Sequence, residues 1–145
     1  MRVLVQRVSS ARVEIEGRIV GSIGPGLLLF VGFGREDAPG ILPAAARKIL
    51  EMRVFSDDAG KLNLSVKDIR GSLLVVSQFT LYANCDRGRR PDFTPAAPPD
   101  LAESLYDEFL HLLRESDIPL QSGIFAADMQ VTLVNDGPVT FLLEF

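Results

Sequence analysis

The sequence predicts an α+β fold in which a mostly antiparallel sheet is accompanied by two helices. Three observations carry this reading. Period-two alternation dominates residues 2–23, and the apolar runs "LLLFVGF" and "SLLVVSQF" have the length of buried strands. Only two segments, 39–52 and 100–116, place apolar residues at helical spacing.

Residues 2–8 and 12–16 alternate, and "EG" at 16–17 leads into "RIVGSI", which reads as strand, strand, tight turn and strand. "GPG" at 24–26 breaks the chain before "LLLFVGF", a strand apolar on both faces and therefore central. Between Pro39 and Met52, residues Ile41, Leu42, Ala45, Ile49 and Met52 share one helical face; the prolines at 39 and 43 are tolerated only in a first turn. "RVF", "DDAG" and "KLNLSV" then give a short hairpin, and "SLLVVSQF" a second buried strand. No periodicity survives from 82 to 99, where Pro91, Pro95, Pro98 and Pro99 fall, so a long irregular loop is expected, of the kind that often carries function. The second helix follows from Asp100 to Ser116, with Asp100 as N-cap and Leu101, Leu105, Phe109 and Leu112 on its apolar face. "MQVTLVN" and "VTFLLEF" read as the last two strands. Asp136-Gly137 between them is a hairpin signal, yet Pro138 has no N–H to give a ladder. The apolar final strand leaves an edge that a second subunit can cover.

At 145 residues the chain makes one domain, 1–145. Its 47% hydrophobic and 23% charged residues are those of an ordinary soluble protein. The longest apolar run, "LLLFV", is far short of the roughly 20 residues a membrane helix needs, so no membrane association is expected. Arg7 interrupts what would be the apolar segment of a signal peptide, so the start reads as mature sequence. One cysteine, Cys85, and one histidine, His111, allow neither an internal disulfide nor a Cys/His zinc site; the expectation is a cytoplasmic protein without metal or cofactor. A net charge of −4 argues against a general positive field, so any RNA contact is local. "RGRR", with Arg87, Arg89 and Arg90, is the one place for it; the plain alternative is a solvated basic loop.

His111 lies between two leucines on the solvent flank of the second helix, which leaves no Ser-His-Asp or Cys-His arrangement. Cys85 has no partner base and reads as an inert loop cysteine. "SQFTLYA" at 77–83 differs, because Ser77, Gln78 and Thr80 arrive abruptly at the end of a uniformly apolar strand. A hydroxyl there can meet a reacting ester, and N–H groups freed where the strand stops pairing can face a developing oxyanion. The competing reading is that Ser77 and Thr80 only satisfy a turn.

With "SQFTLYA" and "NDGPVT" at 135–140 both in view, the sequence resembles the D-aminoacyl-tRNA deacylases, over essentially its full length. "MRVLVQRV", "GSIGPGLLLFVG", "GKLNLSV", "GRRPDF", "AAPP" and "ADMQV" add to the match. Two departures are small: the family usually has glycine where Ala126 stands, and often lysine near Arg87. The resemblance implies a barrel-like sheet and a homodimer. It implies that Ser77, Gln78, Phe79 and Thr80 are the catalytic residues, with the Phe79 N–H at the oxyanion and Thr80 at the scissile ester. Gly137 and Pro138, joined by a cis peptide, would enter the site of the other subunit, held by Arg7. Phe125 and Met129 complete the substrate-binding set. The implied substrate is tRNA carrying a D-amino acid or glycine, including glycine mischarged on tRNA-Ala. L-aminoacyl-tRNA would be excluded because a rigid main-chain wedge occupies the space of an L side chain. Without a histidine base, the ribose 2′-OH is the natural group to help activate water; Thr80 as a covalent nucleophile is the other route. Two further classes stay open: a non-catalytic module binding an RNA end or acyl group, and an esterase for small molecules.

Overall fold

The computed structural model describes residues 1–86 and 88–145. The elements in order are β1 (Arg2–Ile15), β2 (Arg18–Ile23), β3 (Gly26–Gly32), α1 (Leu42–Glu51), β4 (Phe55–Ser56), β5 (Leu62–Leu64), β6 (Ser72–Ser77), α2 (Pro99–Arg114), β7 (Leu120–Ser122) and β8 (Gln130–Glu144). Short 3₁₀ turns precede α1 at Pro39–Ile41 and follow β6 at Phe79–Tyr82.

Six strands form one sheet in the order β2-β1-β3-β6-β7, with β8 along the other side of β1. The sheet is mixed, which corrects the mostly antiparallel expectation. β1 pairs antiparallel with β2, β3 and β8, whereas β3–β6 and β6–β7 are parallel. The reason lies in the connections. Each parallel step needs a crossover, and the two crossovers contain α1 and α2. Both steps run in the same direction across the sheet, so right-handed connections place both helices on one face.

β1 is a single strand, not two. Its alternation buries Val3 and Val5 against the helices, changes phase at exposed Ser9 and Ser10, and resumes with Ala11 and Val13 on the opposite face. The phase change bends the strand, and the β1–β2 hairpin folds back over β6 and β7 towards a barrel. Contact is close there: a Cβ on Gly21 would stand 3.2 Å from Leu74 Cδ1 and from the Ser122 carbonyl. Two apolar cores result. Leu27, Leu29, Val31, Leu73 and Val75 meet α1 and α2, while Leu28, Leu74 and Val76 fill the barrel side with Val8, Ala11 and Val13. Burial on both faces is why β3 and β6 carry nearly unbroken apolar sequence.

α1 buries Leu42, Ala45, Ala46, Ile49 and Leu50, and α2 buries Ala102, Leu105, Tyr106, Phe109, Leu110 and Leu113. α2 starts at Pro99 with Pro98 at the N-cap and no side-chain cap; Asp100 therefore sits in the first turn, where a carboxylate favours the helix dipole, and is not the cap. The Tyr106 hydroxyl donates to the Val75 carbonyl at 2.9 Å, and burial pushes its pKa up from 10.0. The unfolded phenol ionises first, so this stability is complete below pH 10 and declines above it. We expect the unfolding free energy to fall by up to about 1 kcal/mol per pH unit there, and this slope to flatten in Tyr106→Phe, read by urea titration at pH 9 to 11.

The ending departs most from expectation. "MQVTLVN" and "VTFLLEF" are one strand, β8, running along one neighbour, and "NDGP" is a bulge in it, not a hairpin. Val8 pairs with Asn135 and Gln6 with Thr140, so residues 136–139 stand opposite Arg7 alone. The Gly137–Pro138 peptide bond is cis. A bulge explains how proline is tolerated, since the excluded residues need no ladder bond. No helix among the described residues is long and apolar enough to cross a membrane.

Candidate active site

β6 stops pairing after Ser77, and the Gln78 N–H makes the last bond to the Val31 carbonyl at 2.7 Å. The chain then tightens into the 3₁₀ turn Phe79–Tyr82, whose first internal bond runs from the Leu81 N–H to the Gln78 carbonyl at 3.3 Å. The Phe79 and Thr80 N–H groups precede that bond, as the first donors of any such turn do. Gly32 lets the turn come this close, because a Cβ there would fall 2.6 Å from the Gln78 carbonyl oxygen. Ser77 and Gln78 are half-buried and Phe79 and Thr80 exposed; the Gln78 Nε2 donates to Thr80 Oγ1 at 2.5 Å.

Beside the turn opens a cavity of ≈ 740 Å³. Ser77, Gln78, Phe79, Phe125 and Met129 all line it, with Val31, Phe33 and Val76 from the sheet and Ala102 from α2. The loop 93–98 forms another wall, laced to β3's exit by Ala97 N–H to Phe33 C=O at 2.9 Å and Arg35 N–H to Pro95 C=O at 3.2 Å. Phe93 meets Phe79 edge-on, with ring centroids 5.0 Å apart. The walls are largely apolar, and among the described residues Arg35 and Asp128 bring the formal charges. Arg35 and Phe93 were not among the residues expected from sequence. They sit in aperiodic loops, and nothing in their spacing marks them.

Ala126, also in the wall, has φ 59°, where glycine is at ease and a Cβ costs about 1–2 kcal/mol. The glycine usual in the family matches this backbone. Ala126→Gly is expected to stabilise the protein by about 0.5–1 kcal/mol, seen as a Tm increase of about 2–4 °C.

Thr80, expected with Ser77, Gln78 and Phe79, is exposed and does not line this cavity, and Arg7, Gly137 and Pro138 form a second group that does not line it either. Arg7 is nearly buried. Its Nε donates to the Asp136 carbonyl at 3.2 Å and pairs with Asp136 Oδ2 at 3.0 Å, while Nη1 donates to the Val54 carbonyl at 2.7 Å. Asn135 Nδ2 closes the base of the bulge, donating to the carbonyls of Arg7 at 2.9 Å and Val139 at 3.2 Å. Gly137 has φ 117°, and a Cβ there would lie 2.9 Å from Arg7 Nη2. Along β8 Val134, Phe141 and Leu142 are exposed, the last two on opposite faces of the strand. Arg89 and Arg90 are exposed in the loop closed by the Asn84–Asp92 bridge; Arg87 lies outside the described residues. His111 is exposed and pairs with Glu115 at 3.5 Å on α2.

A half-polar strand end thus opens on a large, mostly apolar cavity, and comparison with known proteins says which class of protein carries it. Residues 4–144 match the family model described as D-Tyr-tRNA(Tyr) deacylase. The chain is 54% identical to the D-aminoacyl-tRNA deacylase of Geobacter sulfurreducens, over 99% of this chain and 95% of that one. It is 55% identical to that of Thermotoga petrophila, over 99% and 97%. Among solved structures it is similar to the c-Myc DNA Unwinding Element Binding Protein, with TM-score 0.94, 42% identity and coverage of 100% and 99% of the two chains. A structure described as a probable eukaryotic D-amino acid tRNA deacylase shares the fold, with TM-score 0.83 at 20% identity over 98% and 97%. The protein is an ester hydrolase. It belongs to the D-Tyr-tRNA(Tyr) deacylase family.

Proposed function

We propose that the protein hydrolyses the ester joining a D-amino acid or glycine to the terminal ribose of tRNA, and that it works as a homodimer in which Gly137 and Pro138 of one copy enter the other copy's cavity. The observation that carries this reading is the division of the site. Ser77, Gln78 and Phe79 line a cavity in one place, while the braced bulge projects from an edge strand that leaves Val134, Phe141 and Leu142 exposed. Covering that edge with a second copy supplies a reason for both features.

In the reaction, water attacks the ester carbonyl carbon and the oxygen becomes an oxyanion facing the Phe79 N–H. The water proton passes by way of the ribose 2′-OH to the departing 3′-oxygen as the C–O bond breaks, giving free amino acid and tRNA. Thr80 lies at the ester and Ser77 and Gln78 orient it. The cavity takes the terminal nucleoside against Phe125 and Met129, and Arg87, Arg89 and Arg90 meet tRNA phosphates. The Gly137–Pro138 wedge reads the α-carbon through main-chain atoms. It blocks an L side chain, is indifferent to which D side chain is present, and has nothing to clash with in glycine.

The direct test incubates purified protein with D-tyrosyl-, L-tyrosyl- and glycyl-tRNA. We expect the D and glycyl substrates to be hydrolysed and the L substrate to be about a thousandfold slower, a difference of about 4 kcal/mol. Binding without hydrolysis would make the protein a recognition module. Equal rates on a free D-amino acid ester would make it a small-molecule esterase.

A further inference from the structure

The 3₁₀ turn Phe79–Tyr82 buries none of its side chains, so packing alone does not fix it. Polar contacts from two distant parts of the chain reach it. The Arg2 Nη1 donates to the Leu81 carbonyl at 2.9 Å, and the same guanidinium lies 4.7 Å from the centre of the Tyr82 ring. The Arg2 Nε is itself anchored on Glu144 Oε1 at 2.8 Å. From the other side, the Tyr82 hydroxyl donates to Asp37 Oδ2 at 3.3 Å. That carboxylate is held in turn by the Gly34 N–H at 2.7 Å and the Met1 ammonium at 2.7 Å. Gly34 makes room for the ring, since a Cβ there would fall 2.7 Å from Tyr82 Cε1.

We propose that Arg2 and Tyr82 are positioning residues for the reaction, clamping the C-terminal half of the turn so that the Phe79 N–H at its start is held towards the cavity that Phe79 lines. Neither side chain lines the cavity, so each acts only through the turn. A 3₁₀ turn of four residues is short enough for rotation at Leu81–Tyr82 to re-aim its first donors. Displacing a reacting group by about 1 Å can cost about a hundredfold. The proposal rests on the deacylase reading above.

The test compares the wild type with Arg2→Met, Arg2→Lys and Tyr82→Phe, each first shown to be folded by circular dichroism. Two readouts are used: steady-state deacylation of D-tyrosyl-tRNA, and backbone hydrogen exchange over residues 78–83. We expect Arg2→Met to lower kcat about ten- to a hundredfold with KM changed less than about threefold, and to speed exchange in 78–83 but not in β3 or α2. Arg2→Lys, which can still donate to Leu81, should recover part of kcat. Tyr82→Phe, which keeps the ring but not the bond to Asp37, should fall between Arg2→Met and the wild type. Unchanged exchange at 78–83, or a lower Tm with kcat intact, overturns the clamp. A wild type inactive on D-tyrosyl-tRNA while exchange still responds to Arg2→Met sinks the deacylase reading instead, and with it the catalytic purpose of the clamp.

Discussion

A D-aminoacyl-tRNA whose terminal adenosine lacks the 2′-hydroxyl is expected to be hydrolysed about a thousandfold more slowly than the natural substrate, a loss within the range for a positioned proton-transfer group. Thr80→Ala, by contrast, is expected to cost no more than about tenfold. The asymmetry follows from what surrounds Thr80. A threonine nucleophile needs a base to take its proton, and the side chain touching Oγ1 is the Gln78 amide, which donates its own proton and cannot accept one. The single histidine is exposed on α2 and engaged with Glu115. The substrate's own vicinal hydroxyl, next to the departing oxygen, can shuttle the proton without any protein base. Single-turnover rates on the two tRNAs, with wild type and Thr80→Ala, decide the matter. A dead Thr80→Ala that leaves the deoxy substrate no worse than the natural one would make Thr80 the nucleophile.

How far the sequence reveals the fold depends on how local each decision is. Strands β3 and β6 and both helices were legible, because their apolar spacing reflects burial that each segment carries by itself, whereas β1 was read as two strands where its phase changes at Ser9 and Ser10. β7 was missed: three residues, none of them buried, generate no period. The parallel pairing of β3 with β6 was invisible for another reason. Each reads as a doubly buried strand, and its neighbour is set by crossovers of distant chain. The Asp136-Gly137 signal misled because turn chemistry looks the same in a hairpin and in a bulge; only the shared partner β1 distinguishes them. At the site, Ser77, Gln78 and Thr80 stood out by an abrupt change of polarity in an apolar strand. Phe125, Met129 and Arg7 entered through the family resemblance alone. Arg2 was unremarkable, since an arginine at the start of a strand gives no sign of the carbonyl it will meet at Leu81.

Breaking the brace of the β8 bulge is expected to collapse stereochemical preference, from about a thousandfold to about tenfold in favour of D substrates, a loss of about 2.7 kcal/mol of discrimination. Arg7→Ala removes the guanidinium that holds Asp136 and leaves the Val54 carbonyl without its donor, at a stability cost of about 1–3 kcal/mol. Gly137→Ala acts without removing a partner. At φ 117° its Cβ would lie 2.8 Å from Val139 Cγ2 and 2.9 Å from Arg7 Nη2, so the bulge must move. A change in the cavity such as Ser77→Ala should instead lower the rate and leave the preference intact. The two classes of variant also test whether the wedge acts across subunits. In a mixed dimer of one Gly137→Ala chain and one Ser77→Ala chain, a cross-subunit arrangement pairs an intact cavity with an intact bulge in one site and two altered parts in the other. Half of the wild-type rate with full D preference is then expected. If bulge and cavity of the same chain worked together, neither site would be whole, and the mixture would show only the average of its defective parents.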